Sequence, residues 1–259
     1  GVDLIMLAEE HYDHDAARYL DQQRALIYAV IASVESGSLP ASRVDDAVRR
    51  VLWLKANAGL FDAPVPNADT APGIVGSAAH RAVELEAARH AIAVLRDDRD
   101  LLPLAADQPA VLVNTTARSS YAVLGSTRGI GPNQVTPAFD LFAQHLNRLH
   151  PVTMTLDAEA VLDGAAVDGS AIIVAVTENY PLPGVDFDQT SQGQVIQRLL
   201  DAAGDRLVVV ALRDPYELQR LPPVPAYLCA FSFRPCAARA AAEALCGLFT
   251  PTGKSPVSL

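Results

Sequence analysis

Six side chains able to do chemistry crowd one short stretch near the start of the chain. Glu9, Glu10, His11, Asp13, His14 and Asp15 follow directly on the apolar residues Val2, Leu4, Ile5, Met6 and Leu7. Carboxylates and imidazoles are the groups that hydrogen-bond polar substrates and ligate metals. A metal would need three or four converging ligands, and His11 with His14 three residues on supplies only two imidazoles. The plainer reading is a solvated loop that leads to a helix N-terminus, where Asp13 and Asp15 suit the helix dipole. A second acid, Glu178, follows the run Ala171–Thr177, apolar but for its last residue, and lies at a strand end. Elsewhere the chemistry is thinner. The stretch Gly125–Gly131 ("GSTRGIG") lacks the G-x-G-x-x-G spacing of a dinucleotide loop. Ser126 has no matched His and Asp to make it a nucleophile. His80, His90, His145 and His150 fall on helices or their ends and read as surface or packing residues. Cys229, Cys236 and Cys246 contain no CxxC pair and read as buried reduced thiols, so no metal and no cofactor is expected.

The elements that must position these groups alternate in kind. The opening run, apolar almost throughout, has the pattern of a strand buried on both faces of a parallel sheet. Such a strand needs neighbours on both sides, and no element precedes it. Two helices follow. The first carries Ala16, Leu20, Ile27, Val30, Ile31 and Val34 at helical spacing and ends at Gly37. The second carries Val44, Ala47, Val48, Val51 and Leu52, with a capping signal at Ser42 and Asp45 and a stop at Gly59. Arg43, Asp46, Arg49 and Arg50 fall largely on its wet side. A linker rich in proline and glycine runs from Ala63 to Gly76. A helix over Ala78–Arg89 and a short strand over Ala91–Leu95 come next.

From Pro109 the order becomes regular. Strands are expected at Ala110–Asn114, Pro151–Leu156, Ala171–Thr177, Arg206–Leu212 and Ala226–Ser232. Helices are expected from Thr136 to Leu149, Ser191 to Ala203 and Cys236 to Leu248. The fold class is therefore α/β, a mostly parallel sheet covered by helices on both faces. Three segments result: 1–62, 63–108 and 109–259.

The chain has 259 residues, half of them hydrophobic, and a net charge of −10. That length sustains one large domain or two ordinary ones. With no basic stripe to offset the acidity, nucleic acid is not an expected partner. No run approaches the roughly 20 apolar residues of a membrane helix, so no membrane partner is expected. No secretory signal is visible in this portion.

Three segments carry more than pattern. "RVDDAVRRVLWLKANAGLFD" (Arg43–Asp62) resembles the segment that closes the barrel domain of glycoside hydrolase family 3. "HRAVELEAARHAIAVLRDDRDLLPL" (His80–Leu104) resembles the next element of that family, and the stretch Asp214–Leu259, with its "DPYEL" and "PTGKSPV", resembles the close of its second domain. The resemblance implies a barrel, of which Gly1–Leu7 is the last strand, followed by an α/β sandwich domain. The strands that would flank Gly1–Leu7 are not in this chain. That strand is therefore expected to stay poorly paired or to find a substitute, such as a second copy of the chain.

The resemblance also implies a chemistry. Retaining members set two groups about 5 Å apart on either side of the glycosidic bond. The family's nucleophile Asp sits on an earlier barrel strand, absent here, so no catalytic nucleophile is assigned in this chain. In the β-glucosidase-like branch the acid/base is a Glu from the second domain, upstream of "G-x-D-R". Glu178 is the weak candidate, since "GVDFD" (Gly184–Asp188) places Phe187 where Arg is expected. In the β-N-acetylhexosaminidase-like branch a His-Asp pair on a barrel loop does this work, and that loop is absent. The short second domain and its closing sequence favour this second branch, with terminal β-linked N-acetylglucosamine as the expected sugar. Strand C-termini face the active site of a barrel enzyme. Glu9, Glu10 and His11 are thereby candidate substrate contacts, and the carbohydrate would be bound with the missing barrel. A chain without that barrel is expected to be inactive by itself. The alternative is a carbohydrate-binding or oligomerisation module.

Overall fold

The computed structural model describes residues 1–5, 16–62, 67–117, 136–167, 169–178, 189–213 and 215–259. The chain divides into two compact units, Gly1–Ile74 and Val75–Leu259.

The first unit is helical. Helix α1 spans Ala16–Glu35, α2 spans Ala41–Asn57, and a single turn, α3, spans Ala71–Ile74. Gly37 and Gly59 take positive φ at the ends of α1 and α2, as their terminating role requires. Helix α2 begins earlier than its capping signal suggests. Pro40 stands at the N-cap with no side-chain bond, so Ser42 and Asp45 do not form the expected cap. Gly1–Ile5 takes no strand conformation, and Val2, Leu4 and Ile5 are exposed. The expected strand does not form in its described part because no described strand offers it a hydrogen-bonding ladder. Asp3 instead fastens the segment to α2. Arg43 Nη2 donates to Asp3 Oδ1 at 2.6 Å and to the Val2 carbonyl at 3.2 Å. Arg50 bridges Asp3 and Asp46. This corrects the wet-side assignment of Arg43, whose side chain is half-buried in this clamp. Hydrogen bonding from Arg43 chiefly holds the Asp3 carboxyl below its ordinary range.

The second unit is an α/β sandwich. Helix α4 (Ala78–Ala91) starts at Ser77, whose hydroxyl accepts from the His80 amide. Strand β1 (Ala93–Asp97) follows, two residues later than its apolar run suggests. Then come β2 (Ala110–Asn114), α5 (Ala138–Leu149), β3 (Val152–Leu156), α6 (Ala158–Leu162), β4 (Ile172–Thr177), α7 (Gln189–Ala203), β5 (Leu207–Ala211), β6 (Ala226–Cys229) and α8 (Pro235–Leu245). The sheet order is β1-β6-β5-β4-β2-β3. Every pairing is parallel except β1 with β6.

Strand periodicity sorts the core into two layers. Leu112, Val174, Val176, Val208, Val210 and Leu228 face α4, α5 and α8, where Phe142, Leu146 and Leu245 meet them. Val111, Val113, Ile173, Ala175, Val209 and Tyr227 face α6 and α7, where Val161, Ile196 and Leu199 meet them. All residues of β4, β5 and β6 are buried, which is why those runs are apolar without alternation. Alanines of α8 permit its close approach to the sheet. Glu243, on the same helix, is 4% exposed and is held by Arg239 at 2.7 Å and Arg89 at 2.8 Å. Gly253 brings the C-terminal tail against the junction of α4 and β1, its amide donating to Ile92 O. A Cβ at that position would stand 2.4 Å from Ala91 O, so only glycine fits.

Candidate functional site

Chemistry in the second unit gathers at the carboxyl edge of the sheet. The chain leaves β2 for α5 on one face, and leaves β4 for α7 on the other. Adjacent parallel strands whose connections depart to opposite faces open a crevice between their carboxyl ends, where open α/β sheets bind ligands. The residues just past β2 are Thr115 and Thr116, and the residue just past β4 is Glu178.

Both strand ends are polar and covered. Thr115 is 0%, Thr116 2%, Glu178 3% and Gln192, from α7, 2% exposed. The Thr115 hydroxyl donates to Val176 O at 2.8 Å and accepts from Gln192 Nε2 at 3.3 Å. The Asn114 side-chain oxygen accepts from the Thr116 amide at 3.1 Å. Among the described residues, Thr116 Oγ1 and Glu178 Oε2 are buried with no hydrogen-bond partner. The registry of β2 against β4 pairs Asn114 with Val176, and the two strands end at Asn114 and Thr177, just before Thr116 and Glu178. Burial pushes the Glu178 carboxyl up to about 7, with Arg213 pulling the other way. Glu178 therefore holds its proton into the neutral range, unlike the solvated loop acid that a strand end ordinarily carries.

The remaining strand ends are braced. Glu217, in the 3-10 turn Tyr216–Gln219, accepts on Oε1 from the Thr177 hydroxyl and, at 2.9 Å, from the Tyr227 hydroxyl. One carboxylate thus ties the ends of β4 and β6 together. Past β5, Arg213 stacks on the Phe233 ring at 4.1 Å. Past β6, Phe231 takes φ of +53°, a conformation that costs a bulky residue energy and that clusters near functional sites. The roles of Glu217, Tyr227 and Thr116 carry no signal in the sequence, since their partners are remote in the chain.

Other expected site residues fall elsewhere. Glu9, Glu10 and His11 lie outside the described residues, as do Gly125–Gly131 and Gly184–Asp188. His150 is buried at the end of α5, a ring nitrogen 2.8 Å from Gln108 O. Cys229 is buried, whereas Cys236 and Cys246 are only half-buried, a correction to the expectation of three buried thiols. Burial pushes both of these thiols up to about 11, so neither is a reactive thiolate at neutral pH.

No family model matches the chain. A periplasmic β-glucosidase from Salmonella typhimurium is 28% identical over 219 residues, covering 82% of this chain and 26% of that protein. A β-xylosidase from Formosa agariphila is 32% identical over 101 residues, covering 36% of this chain and 14% of that protein. Among solved structures, a glycoside hydrolase family 3 β-N-acetylglucosaminidase from Paenibacillus sp. str. FPU-7 superposes with a TM-score of 0.57. It is 22% identical, over 91% of this chain and 43% of that one. The curated relatives are β-glycosidases by name, and in fold the mostly parallel sheet matches the C-terminal α/β sandwich domain of the family 3 neighbour. The chain spans less than half the length of each of these three proteins.

Proposed function

We propose that this chain forms the closing segment and sandwich domain of a retaining β-glycosidase of family 3, directed at terminal β-linked N-acetylglucosamine. The observation that carries the reading is the likeness to a β-glucosidase over 82% of the chain. The closing sequence Asp214–Leu259 and the short second domain support the N-acetylglucosamine branch over the glucose branch. In this reading the nucleophile comes from barrel strands outside the chain. Glu9, Glu10 and His11 line the rim of that barrel and contact the sugar. In this branch the acid/base is a His-Asp pair on a barrel loop, and Glu178, its carboxyl raised by burial to about 7, is the candidate proton donor only in the β-glucosidase-like alternative.

Two assays test this reading. The chain alone, given aryl β-glycosides, is expected to show no turnover, and turnover that survives repurification refutes that part. Fused to the barrel of the Paenibacillus enzyme in place of its own closing segment, the chain is expected to restore cleavage of aryl β-N-acetylglucosaminide. A fusion that folds and prefers the β-glucoside overturns the sugar assignment. In that fusion, a triple alanine substitution of Glu9, Glu10 and His11 is expected to raise KM.

A further inference from the structure

Away from the sheet edge, one cleft of the second unit gathers polar groups from two fixed walls. It holds about 520 Å³ and is lined by Glu86, Arg89 and His90 from α4, and by Phe249, Thr250 and Thr252 from the C-terminal tail. Positions 86, 89 and 90 stand at i, i+3 and i+4, so they share one face of the helix. The tail wall is anchored at both ends. Phe249 packs against the core, and the Gly253 amide donates to Ile92 O at 2.9 Å. A cleft of this volume is of the size that takes small molecules.

The cleft has two charged poles that are kept apart. Arg89 is pinned: its Nε and Nη2 lie 2.8 and 2.7 Å from Glu243 Oε2, and its guanidinium stands 5.8 Å from the centre of the Phe249 ring. Glu243 also accepts from Arg239 at 2.7 Å. One buried carboxylate thus serves two guanidiniums, and one positive charge is left over. The Arg89 side chain is 40% exposed, with N–H groups left for a further acceptor. One turn earlier on α4, Glu86 is exposed and, among the described residues, has neither an ion pair nor a hydrogen bond. Side chains at i and i+3 are able to pair with each other, but here Arg89 turns to Glu243 instead. We propose that this cleft binds a small zwitterion of the free amino-acid class, its carboxylate on Arg89 and its ammonium on Glu86.

The ligand class follows from the poles. A simple anion would be drawn to Arg89 and repelled by Glu86, and a simple cation would meet the reverse. A molecule that carries both charges satisfies both. The Thr250 and Thr252 hydroxyls donate or accept as the ligand requires, and Phe249 offers apolar surface to a side chain. The inference goes beyond the glycosidase reading, because every residue it uses lies in the second unit and none is catalytic.

The test uses the full 259-residue chain, isotopically labelled, titrated with L-leucine. Saturable amide shifts are expected at Glu86, His90, Thr250 and Thr252, with a Kd in the millimolar range. Leucinamide keeps only the positive charge and N-acetyl-leucine only the negative one. Each is expected to bind at least about fivefold more weakly than leucine. Glu86→Gln is expected to weaken leucine binding likewise and to leave the Tm unchanged, since that side chain is exposed and holds nothing in the fold. Arg89 also secures the buried Glu243, so the positive pole is tested through the ligand and not through an Arg89 variant. No saturable shift in the natural chain overturns the proposal. So does either single-charge analogue binding as tightly as leucine, or an unchanged Kd in Glu86→Gln. Inactivity of the barrel fusion leaves these outcomes untouched, so the two readings fail separately.

Discussion

The two units use similar apolar side chains to opposite ends. In Gly1–Ile74, Trp53 is 66% exposed, Phe61 61%, Tyr28 67% and Ile27 59%. In Val75–Leu259, Phe142, Leu146, Ile173 and Leu228 are 0% exposed. None of the described residues of the first unit reaches full burial, although α1 and α2 carry apolar stripes with helical periodicity. The difference lies in what each stripe can meet. Two helices and an unpaired segment offer one another a narrow seam, here a groove of about 540 Å³ lined by residues such as Val30, Val44, Val48 and Val51. A six-stranded sheet offers two broad faces, and helices cover both. Amphipathic pattern makes a helix, but a core needs a second surface.

The sharpest way to break this comparison is a pair of truncations. Phe142→Ala in α5 should cost about 3–5 kcal/mol, because it removes a ring wholly enclosed by the sheet. Trp53→Ala in α2 should change unfolding by less than about 0.5 kcal/mol, as exposed positions do. Urea denaturation followed by far-UV circular dichroism measures both. A large loss from Trp53→Ala would mean that the first unit owns a core after all.

The next effect is that of Glu178→Gln. The folded carboxyl titrates near 7, above its ordinary 4.5. Below pH 4.5 the folded and unfolded chains both carry the proton, and burial exacts nothing. As pH rises from 4.5 to 7 the unfolded chain ionises while the folded one holds its proton, so stability falls. Above pH 7 the loss is complete, on the order of 3 kcal/mol. The variant should therefore match the natural chain near pH 4 and exceed it at pH 8. Equal stabilities at pH 8 would show that Glu178 ionises freely in the fold.

Removing one donor from Glu217 comes third. Tyr227→Phe leaves that buried carboxylate with the Thr177 hydroxyl but without the Tyr227 bond, and should cost about 1–3 kcal/mol. A cost below a few tenths would deny the brace between β4 and β6. The smallest effect belongs to the first unit. Asp3→Asn breaks the clamp from Arg43 yet should leave the Tm of the second unit unmoved. The clamp is present above the ordinary carboxylate range and is lost as pH falls through the depressed Asp3 value. Nitrogen-detected spectra of the Arg43 side chain follow that loss.

Much of the second unit could be read from local pattern. Ala110–Asn114 is a strand over its expected residues, and β4 and β5 fall within their apolar runs. Pro137 marks the start of α5, standing at its N-cap and not at the first helical position. Boundaries elsewhere shift by a few residues, as for α8, which ends at Leu245. The candidate site was less legible. Glu178 stood out as an acid at a strand end, but its cover and its raised pKa come from residues on other elements. Thr116 gave no signal, because a threonine after a strand is ordinary until its burial is known. Arg43 looked like a wet-side residue because helical periodicity cannot register a partner 40 positions away.

Sequence alone determined the α/β class, the glycine stops at Gly37 and Gly59, and the apolar strands, because each depends on properties of neighbouring residues. Tertiary structure alone decided the strand order, the antiparallel pairing of β1 and the brace that Glu217 makes with Thr177 and Tyr227. Those depend on which distant strands share a ladder, and hydrogen bonds between strands leave no periodic trace in the sequence of either one. The opening apolar run shows the same limit from the other side. Its residues encode a strand, but a strand exists only where a neighbour completes its hydrogen bonds.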